Sequence, residues 1–562
     1  HHRPVPVARK DRSVSVLAAG IIAATLFVLC ISAAGLVGLD PSLPGPFSRA
    51  ELIPYVGLVG LAIVLPMAAM RRAGHFAVTH PFVHVSWTYL APILVGGSLL
   101  FVATGISDTP QELMQAIAAD YRVTLIYLAC GIAALALGTS IGPAKGAGAI
   151  VGRLLPDFAW SRKQAAGTGI VLMFGGVAIQ FLNFYGGLIG YQLGATGPFT
   201  ALYYYIGLIF QFGIFLTWHA VFSATRPGWI EFLLIGLIII AELVVAVLAG
   251  SRGLLFACWI IMVLACFTRF PKPSVRILIG LALAGFVALS VGFTVGTLFR
   301  YVKSGIFAPV VTAQLPKSSG ADLNSLEQAN PAGIAKSGAP AAPTKQPAPP
   351  ANASEQSKNA QRSTSLKDQA VNIRTAVDLS GSDQLPLVIR SFAARTNVLT
   401  HVAVLVSRRS ELIASMPATL RSGILIGLAT SLVPRVLWPD KPIIGDAAAH
   451  AKLFFEFEGN SFAITPMGDL FLNYGSAGIV PGMALLGMVI GFVYAALMHG
   501  PAIPAAKGGI YAVLLTQFSM EGFYAYILPS MLRAGLIAVA VALVADYLVQ
   551  RAGKATARAN AL

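Results

Sequence analysis

The sequence predicts an all-α protein with many membrane-spanning helices. Hydrophobic residues make up 56% of the chain and charged residues only 11%, and the mean hydropathy is +0.74. A soluble domain of this size needs more charge on its surface than this composition provides. Apolar runs of about the 20 residues that cross a bilayer recur along the chain. These two observations exclude an ordinary soluble globular protein.

About twelve apolar runs are long enough to be spans. The predicted spans are residues 14–38, 52–70, 84–105, 121–141, 166–190, 199–223, 229–249, 253–269, 276–298, 474–498, 508–526 and 529–549. They form two blocks, 14–298 and 474–549, which are separated by a long polar region, 299–473. The expected architecture is therefore nine helices, one large loop and three further helices.

The charge distribution predicts the orientation of these helices. Lys and Arg number 39 against 23 Asp and Glu, a net charge of +16, and basic loops of membrane proteins stay on the cytoplasmic side. The basic clusters are Arg9, Lys10 and Arg12; Arg71 and Arg72; Lys145, Arg153, Arg162 and Lys163; Arg226; Arg269, Lys272 and Arg276; Lys507; and Arg551, Lys554 and Arg558. All fall on one side of the predicted alternation. We expect both termini to be cytoplasmic and the loop 299–473 to be extracytoplasmic, so topology accounts for the basic excess and no nucleic acid partner is expected.

Composition changes twice within this loop. Residues 316–367 are rich in Pro, Ala, Ser, Gln, Asn and Lys and contain too little apolar surface to offset the entropy lost on ordering, so we expect disorder. From 371 to 462 apolar residues return at helical spacing, as at Val398, Val402 and Val406. This part is expected to form an ordered helical cap.

Three short motifs carry a resemblance to a known family. They are SLVPRVLWPDKP at 431–442, GNSFAITPMGDLFLNYGSAGIV at 459–480 and AGSRG at 249–253. Together with the order of the spans, they resemble the Wzy-type oligosaccharide repeat-unit polymerases of O-antigen and exopolysaccharide synthesis. The resemblance implies a GT-C-like membrane glycosyltransferase in the bacterial inner membrane with its large loop in the periplasm. Its implied reaction moves a growing glycan from undecaprenyl diphosphate onto the next lipid-linked repeat unit.

Arginines are the side chains best suited to the donor of such a reaction. The leaving diphosphate gathers negative charge, and the planar guanidinium binds phosphate oxygens in pairs and stays charged near lipid. Arg252 and Arg435 are the predicted catalytic cations, and Arg300, Arg395 and Lys441 are predicted to bind substrate. An arginine at a helix end is also a common interfacial anchor, and that alternative stays open for these residues.

Carboxylates are candidates for contact with the acceptor, because a sugar hydroxyl that attacks must give up its proton. Asp469 and Glu458 are the preferred pair, and Asp440 is a predicted substrate-binding residue. In the alternative, Asp469 caps the following helix or pairs with an arginine. The spacing of His, Cys, Asp and Glu does not fit a metal site, so neither a metal nor another cofactor is expected.

Aromatic residues at the predicted extracytoplasmic helix ends offer a surface for sugar rings. Trp438, Tyr185 and Tyr524 are the predicted substrate contacts, in the neighbourhood of the tyrosines at 203–205 and of Tyr526. Such rings also form the aromatic belt that many membrane proteins place at the interface.

Two other classes remain open from sequence. An O-antigen ligase transfers finished polymer to a different lipid, and a transporter or flippase moves lipid-linked saccharides without making a bond. Glu242 is one of few charges in the middle of a span, whereas transporters commonly place several there. The expected partners are the lipid-linked oligosaccharide, membrane lipid, a chain-length regulator and a flippase.

Overall fold

The structure is a computed structural model in which the architecture is helical. It describes residues 21–22, 52–87, 90, 120–158, 160–186, 189, 200–226, 228–249, 254–306, 398–416, 423–430, 433, 437–438, 464–498, 500, 503–518 and 522–561. All the regular secondary structure in these ranges is helical, in agreement with the predicted fold class.

The helices are numbered here in chain order. They are α1 (Ile53–Arg72), α2 (Pro81–Val85), α3 (Asp120–Ser140), α4 (Gly142–Leu154), α5 (Arg162–Tyr185), α6 (Thr200–Gly207), α7 (Ile209–Phe222), α8 (Trp229–Ala249), α9 (Leu254–Arg269), α10 (Val275–Ile306), α11 (Val398–Ser415), α12 (Gly423–Thr430), α13 (Thr465–Tyr474), α14 (Ser476–Leu497), α15 (Ala505–Thr516) and α16 (Tyr524–Ala561). Helices α11 and α12 lie within the region that the sequence predicts to be a helical cap.

Eight spans in the described residues are long and apolar enough to cross a membrane. They are Ile53–Arg72, Asp120–Ser140, Arg162–Tyr185, Leu202–Phe222, Trp229–Ala249, Val275–Gly292, Ser476–Leu497 and Tyr524–Ala555. Each matches one of the twelve predicted spans. The protein is therefore polytopic and membrane-embedded.

The other four predicted spans have different outcomes. Most of 14–38 and of 84–105 lies outside the described residues. The run 253–269 forms α9, which has 16 residues. The predicted span 508–526 does not form one helix, because α15 ends at Thr516 with Gln517 as its C-cap and α16 begins only at Tyr524.

Helices α3 and α14 run in parallel and pack through glycines. Gly131 of α3 faces Ile479 near the start of α14, and Gly138 faces Gly487 further along both helices. A Cβ added at Gly138 would collide with the backbone of α14, as would one added at Gly487 with the backbone of α3. Glycine at these positions lets the two backbones approach closely, as small residues do between membrane helices.

Neighbouring helices keep the relative directions that the predicted alternation requires. Helix α5 runs antiparallel to α7, since Gly169 faces Thr217 and Gly176 faces Phe210. Helix α15 runs antiparallel to α7 as well, because Gly508 packs on Phe215 while Thr516 bonds Gln211.

Many predicted basic positions meet at one end of the bundle, which we call the basic end. Arg162 donates from Nε to the carbonyl of Ala220 at 3.0 Å and pairs with Glu231. Lys507 donates from Nζ to the carbonyl of Gly152 at 3.0 Å. The start of α5 thus meets the end of α7 and the start of α8, and the start of α15 meets the end of α4.

The chain divides into two compact units, and the helices that build the site belong to one of them. That unit comprises His1–Phe293 and Pro386–Leu562, and the other is Thr294–Leu385. The sequence predicts a span that ends at residue 298, just before Arg300, and the membrane span found in the structure ends at Gly292. Helix α10 continues to Ile306, so Arg300 lies within it, because the run after residue 298 still has helix-forming residues and no proline or glycine until Gly305.

Candidate functional site

Four of the predicted site residues lie in the described part of the chain. They are Asp469, Trp438, Tyr185 and Tyr524. Six others, Arg252, Arg435, Glu458, Arg395, Lys441 and Asp440, lie outside the described residues, and for Arg300 only the helical backbone is described. The site below is built from the first group and its neighbours.

Asp469 is a buried acidic residue at the end of the bundle opposite the basic end. Its side chain lies on α13, and the residue is 4% exposed. Oδ2 accepts a hydrogen bond from the backbone N–H of Ala525 at 2.9 Å, and the backbone N–H of Tyr524 also points to this carboxylate. Asn473, one helical turn along α13, donates from Nδ2 to Oδ1 at 2.9 Å. Asp469 therefore caps the N-terminus of α16, where backbone N–H groups lack partners within the helix.

Burial sets the proton affinity of this carboxyl. Loss of hydration raises the pKa of Asp469 to about 6, although the hydrogen bonds from Ala525, Tyr524 and Asn473 favour the charged form and act in the opposite direction. A carboxyl group with this pKa changes charge close to physiological pH. Partial loss of hydration raises the pKa of Tyr474, and the nearby Asp469 charge raises it further.

The helix that carries Asp469 begins at a strained residue. Thr465 is fully buried and has φ of 61°, which is unfavourable for a β-branched side chain. Its Oγ1 accepts a hydrogen bond from the backbone N–H of Gly468 at 3.0 Å. Such backbone strain is found most often at functional sites, where the surrounding packing enforces it.

Helix α11 holds α13 from the other side. Arg409 donates from Nε to the carbonyl of Phe471 at 2.8 Å, and its guanidinium lies over the Phe471 ring. Leu405 and Leu472 belong with Phe523 to a small separate apolar cluster. Part of the predicted cap thus packs directly on the helix that carries Asp469.

Tyr524 is not a free aromatic surface. It is 2% exposed, and its hydroxyl donates to the carbonyl of Gly482 on α14 at 2.9 Å. Since Asp469 bonds the backbone at the same position, α13, α14 and α16 are joined within a few ångströms. The described contacts of Tyr524 are those of a residue that holds α14 and α16 together.

A second polar cluster lies on α16 about two turns further along. Tyr526, Ser530 and Arg533 occupy one stripe of this helix at positions i, i+4 and i+7. Tyr205 of α6 meets this stripe, with its hydroxyl 2.9 Å from Ser530 Oγ and its ring under the Arg533 guanidinium, 5.6 Å from Cζ. The Tyr204 ring meets the Tyr205 ring edge-on at 5.3 Å. We call Tyr205, Tyr526, Ser530 and Arg533 the Arg533 cluster.

Tyr185 and Trp438 are both accessible. Tyr185 is 79% exposed at the end of α5, and Trp438 is 41% exposed. Two residues before Tyr185, Asn183 donates from Nδ2 to the carbonyl of Tyr203 at 3.2 Å. Tyr185 therefore lies at the same end of the bundle as the Arg533 cluster.

Comparison of the chain with protein-family models, curated proteins and solved structures finds no match. The chemistry of the site must therefore be inferred from its own residues.

Sequence reasoning singled out Tyr205 and Tyr526 of the Arg533 cluster but missed Ser530, Arg533 and Asn473. The signal was present in YAYILPSMLR at 524–533, where the tyrosine, serine and arginine recur at helical spacing on an otherwise apolar run. The partner Tyr205 is 325 residues away from Ser530, so only the folded chain identifies it. Asn473 lies one turn from Asp469, and its Oδ1 is buried without a hydrogen-bond partner.

The described residues offer acid, cation and aromatic groups but no group of three or more His, Cys, Asp and Glu that would hold a metal ion. Asp469 has its oxygens engaged by α16 and Asn473, so the described geometry fits a residue that positions the end of α16. The Tyr185 ring is exposed at this end of the bundle, and the Arg533 guanidinium lies over the buried Tyr205 ring.

Proposed function

We propose that this chain is a membrane glycosyltransferase that polymerises oligosaccharide repeat units linked to undecaprenyl diphosphate. The observation that supports the proposal is that the described helix ends nearest in sequence to Arg252 lie at the same end of the bundle as Asp469. Helix α8 ends at Ala249 and α9 begins at Leu254, and their other ends, at Glu231 and Arg269, lie at the basic end. The end of α8 and the start of α9, the described positions nearest in sequence to Arg252, therefore lie at the end of the bundle where α13 holds Asp469.

The charge pattern supports placing this end outside the cytoplasm. Basic residues of membrane proteins concentrate on the cytoplasmic side, and the basic end gathers Arg162, Lys507 and Arg269. The Asp469 end is then extracytoplasmic, where the lipid-linked substrate of such a reaction is presented.

Each residue has a stated role in this proposal. Arg252 and Arg435 bind the diphosphate of the donor and stabilise the charge that grows on it as the glycosidic bond breaks. Glu458 accepts the proton of the attacking sugar hydroxyl. Asp469 acts as a positioning residue, since it fixes the start of α16 against α13.

The decisive experiment is a polymerisation assay. Purified full-length protein is mixed with a repeat unit linked to undecaprenyl diphosphate, and the lipid-linked products are separated by length. A ladder of products supports the proposal. Transfer of a preformed polymer to a different lipid, without a ladder, indicates a ligase, and movement of the substrate across vesicles without bond formation indicates a transporter.

Arginine variants test the proposed roles. Arg252→Lys and Arg435→Lys keep the charge but lose the planar fork, so we expect polymer formation to fall about a hundredfold, equivalent to ~3 kcal/mol of transition-state stabilisation. Arg153→Lys is the matched control, because Arg153 is exposed on α4. Normal polymer from both site variants would identify these arginines as interfacial anchors.

A further inference from the structure

We propose that Glu242 forms, with Trp218 and Cys258, a binding site for a proton in the interior of the membrane-embedded bundle. The proposal goes beyond the proposed function, because glycosyl transfer at the Asp469 end uses no group at this depth.

The position of Glu242 on α8 places it far from both membrane surfaces. Glu231, which pairs with Arg162 at the basic end, comes 11 residues before Glu242, and α8 ends at Ala249, 7 residues after it. These separations are about 16 Å and about 10 Å along a helix, and the hydrocarbon layer of a bilayer is about 30 Å thick. The backbone of α8 therefore carries this carboxyl group within the hydrocarbon layer.

The side of α8 that carries Glu242 adjoins the face turned to other helices. Helix α8 packs against α5, α7 and α9, and its buried stripe includes Ile238, Ala241 and Val245. Glu242 lies one helical turn after Ile238, beside this stripe, and is half-buried. An apolar molecule dissolved in the hydrocarbon layer can therefore reach this residue, while its buried part contacts the neighbouring helices.

Two groups from other helices lie next to the Glu242 carboxyl. Trp218 of α7 places its indole N–H beside it, and this buried N–H has no other hydrogen-bond partner. Cys258 of α9 is 1% exposed and close enough for the charge of the carboxyl to act on its thiol. Cys266, two turns further along α9, is buried as well. The carboxyl thus meets one N–H donor and one thiol in an otherwise apolar setting.

The described helices that pack against α8 bring no cation to this carboxyl. On α5, no charged or titratable side chain lies between Lys163 and Tyr185. On α7, the one titratable side chain is His219, which stacks on Phe215. On α9, the one cation is Arg269, the last residue of the helix, at the basic end. A negative charge on Glu242 would therefore have no ionic partner among these residues.

The chemistry of these neighbours selects a proton as the ligand. An unpaired carboxylate is far less favourable in hydrocarbon than the neutral acid, so Glu242 takes up a proton at neutral pH. The neutral carboxyl can still accept a hydrogen bond from Trp218. A hard cation needs several oxygen ligands, whereas the described neighbours offer an N–H group and a thiol.

Labelling with dicyclohexylcarbodiimide tests the proposal. This apolar reagent takes the proton of a neutral carboxyl group and adds to its oxygen, and the product rearranges to a stable N-acylurea without a leaving group. We expect full-length protein in dodecyl maltoside at neutral pH to form this adduct at Glu242. Glu231 is the internal control on the same helix and should stay unmodified, because it is ion-paired with Arg162. Mass spectrometric fragmentation of the α8 peptide distinguishes the two positions, and sodium chloride should protect no better than choline chloride.

Glu242→Gln gives an independent measurement, because glutamine resembles the neutral acid but has no proton to release. In the unfolded chain a glutamate loses its proton at about pH 4, whereas folded wild type keeps it, so the stability of wild type relative to Glu242→Gln should fall as pH rises above this value. We expect the difference in melting temperature to change by at least about 2 °C between about pH 5 and about pH 8. Asp469 is present in both proteins, and its contribution cancels.

An ionised Glu242 would give different results in both measurements. Absence of the adduct at Glu242, or a melting-temperature difference that stays constant with pH, would overturn the proposal, and specific protection by sodium would show a cation site instead. If Glu242→Gln fails to fold, the adduct on wild type decides. Neither measurement involves glycosyl transfer, so this proposal and the proposed function fail independently.

Discussion

The carboxylate of Asp469 accepts a hydrogen bond at 2.9 Å from the backbone N–H of Ala525, a residue 56 positions later in the chain. The cap of α16 is therefore supplied by another helix. The position of α13 therefore determines how the first turn of α16 is capped. Tyr524, in the same turn, also joins α16 to α14 through its hydrogen bond to Gly482.

Removal of the Asp469 carboxylate should destabilise the end of α16. We expect Asp469→Ala to lower the free energy of unfolding by about 2 kcal/mol, because it leaves backbone N–H groups buried without an acceptor. Asp469→Asn keeps one acceptor oxygen and should cost less. Thermal unfolding of the purified variants in detergent measures both, and equal stability of wild type and Asp469→Ala would contradict the cap.

The pH dependence of stability should report the same carboxyl. Because burial raises the pKa of Asp469 from 3.8 to about 6, the folded protein holds this proton between those values while the unfolded chain releases it. Stability therefore falls as pH rises through this window, by at most roughly 3 kcal/mol. Asp469→Asn has no such proton, so the difference between its melting temperature and that of wild type should change between pH 4 and 6 and level off above. A constant difference across the window would refute this assignment.

A Tyr524 variant distinguishes the two interpretations of this residue, a substrate contact and a structural link between helices. Tyr524→Phe keeps the ring but loses the bond to Gly482, and we expect a loss of about 1 kcal/mol in stability. Tyr547→Phe is the control, since Tyr547 is exposed on the same helix. If Tyr524 serves only as a tie, polymer length at a temperature where the variant is folded should match wild type; shorter polymer would point to contact with the glycan.

Close packing of α3 and α14 should tolerate no side chain at Gly138. A Cβ there meets the backbone of Ala484 and Gly487, so Gly138→Ala should separate the helices and cost more than 1 kcal/mol. Gly146 on α4 has open space around its Cβ position, and Gly146→Ala should be neutral or slightly stabilising. Detergent-solubilised yield and melting temperature compare the two substitutions, and similar values would argue against this interface.

Labelling in whole cells should distinguish the two ends of the bundle. A membrane-impermeant thiol reagent should modify Tyr185→Cys, which is exposed at the Asp469 end, and spare Ala73→Cys, which follows α1 beside Arg71 and Arg72. The unmodified parent is the background, because it retains its native cysteines. The opposite pattern would reverse the orientation and move the proposed site to the cytoplasm.

Much of the fold follows from local pattern. The apolar runs that became α1, α3, α5, α8 and α14 match their predicted bounds within a few residues, because length and hydropathy suffice to define a membrane helix. The pattern fails where a short polar interruption divides an apolar run, as between Thr516 and Tyr524.

The candidate site was predicted only in part, because local pattern does not show which residues of different helices come into contact. Asp469 and Tyr524 were singled out as neighbours of a membrane helix, yet their described contacts are with α16 and α14. Arg533 was not singled out, although it shares a helical stripe with Tyr526 and Ser530, because the stripe does not show which residue of another helix lies against it. The environment of Arg533 is set by the Tyr205 ring beneath it, and local periodicity cannot show that these two residues are in contact.

By itself the sequence determined that this is a helical membrane protein and which residues belong to most of its spans, since these properties depend on neighbours within one helix. Tertiary structure decided which helix faces meet. The approach of Gly138 to Gly487 and the bond of Trp160 to Asp546, 386 residues apart, depend on the shapes of two surfaces that only the folded chain brings together. The cap at Asp469 and the cation at Arg533 are consequences of that packing.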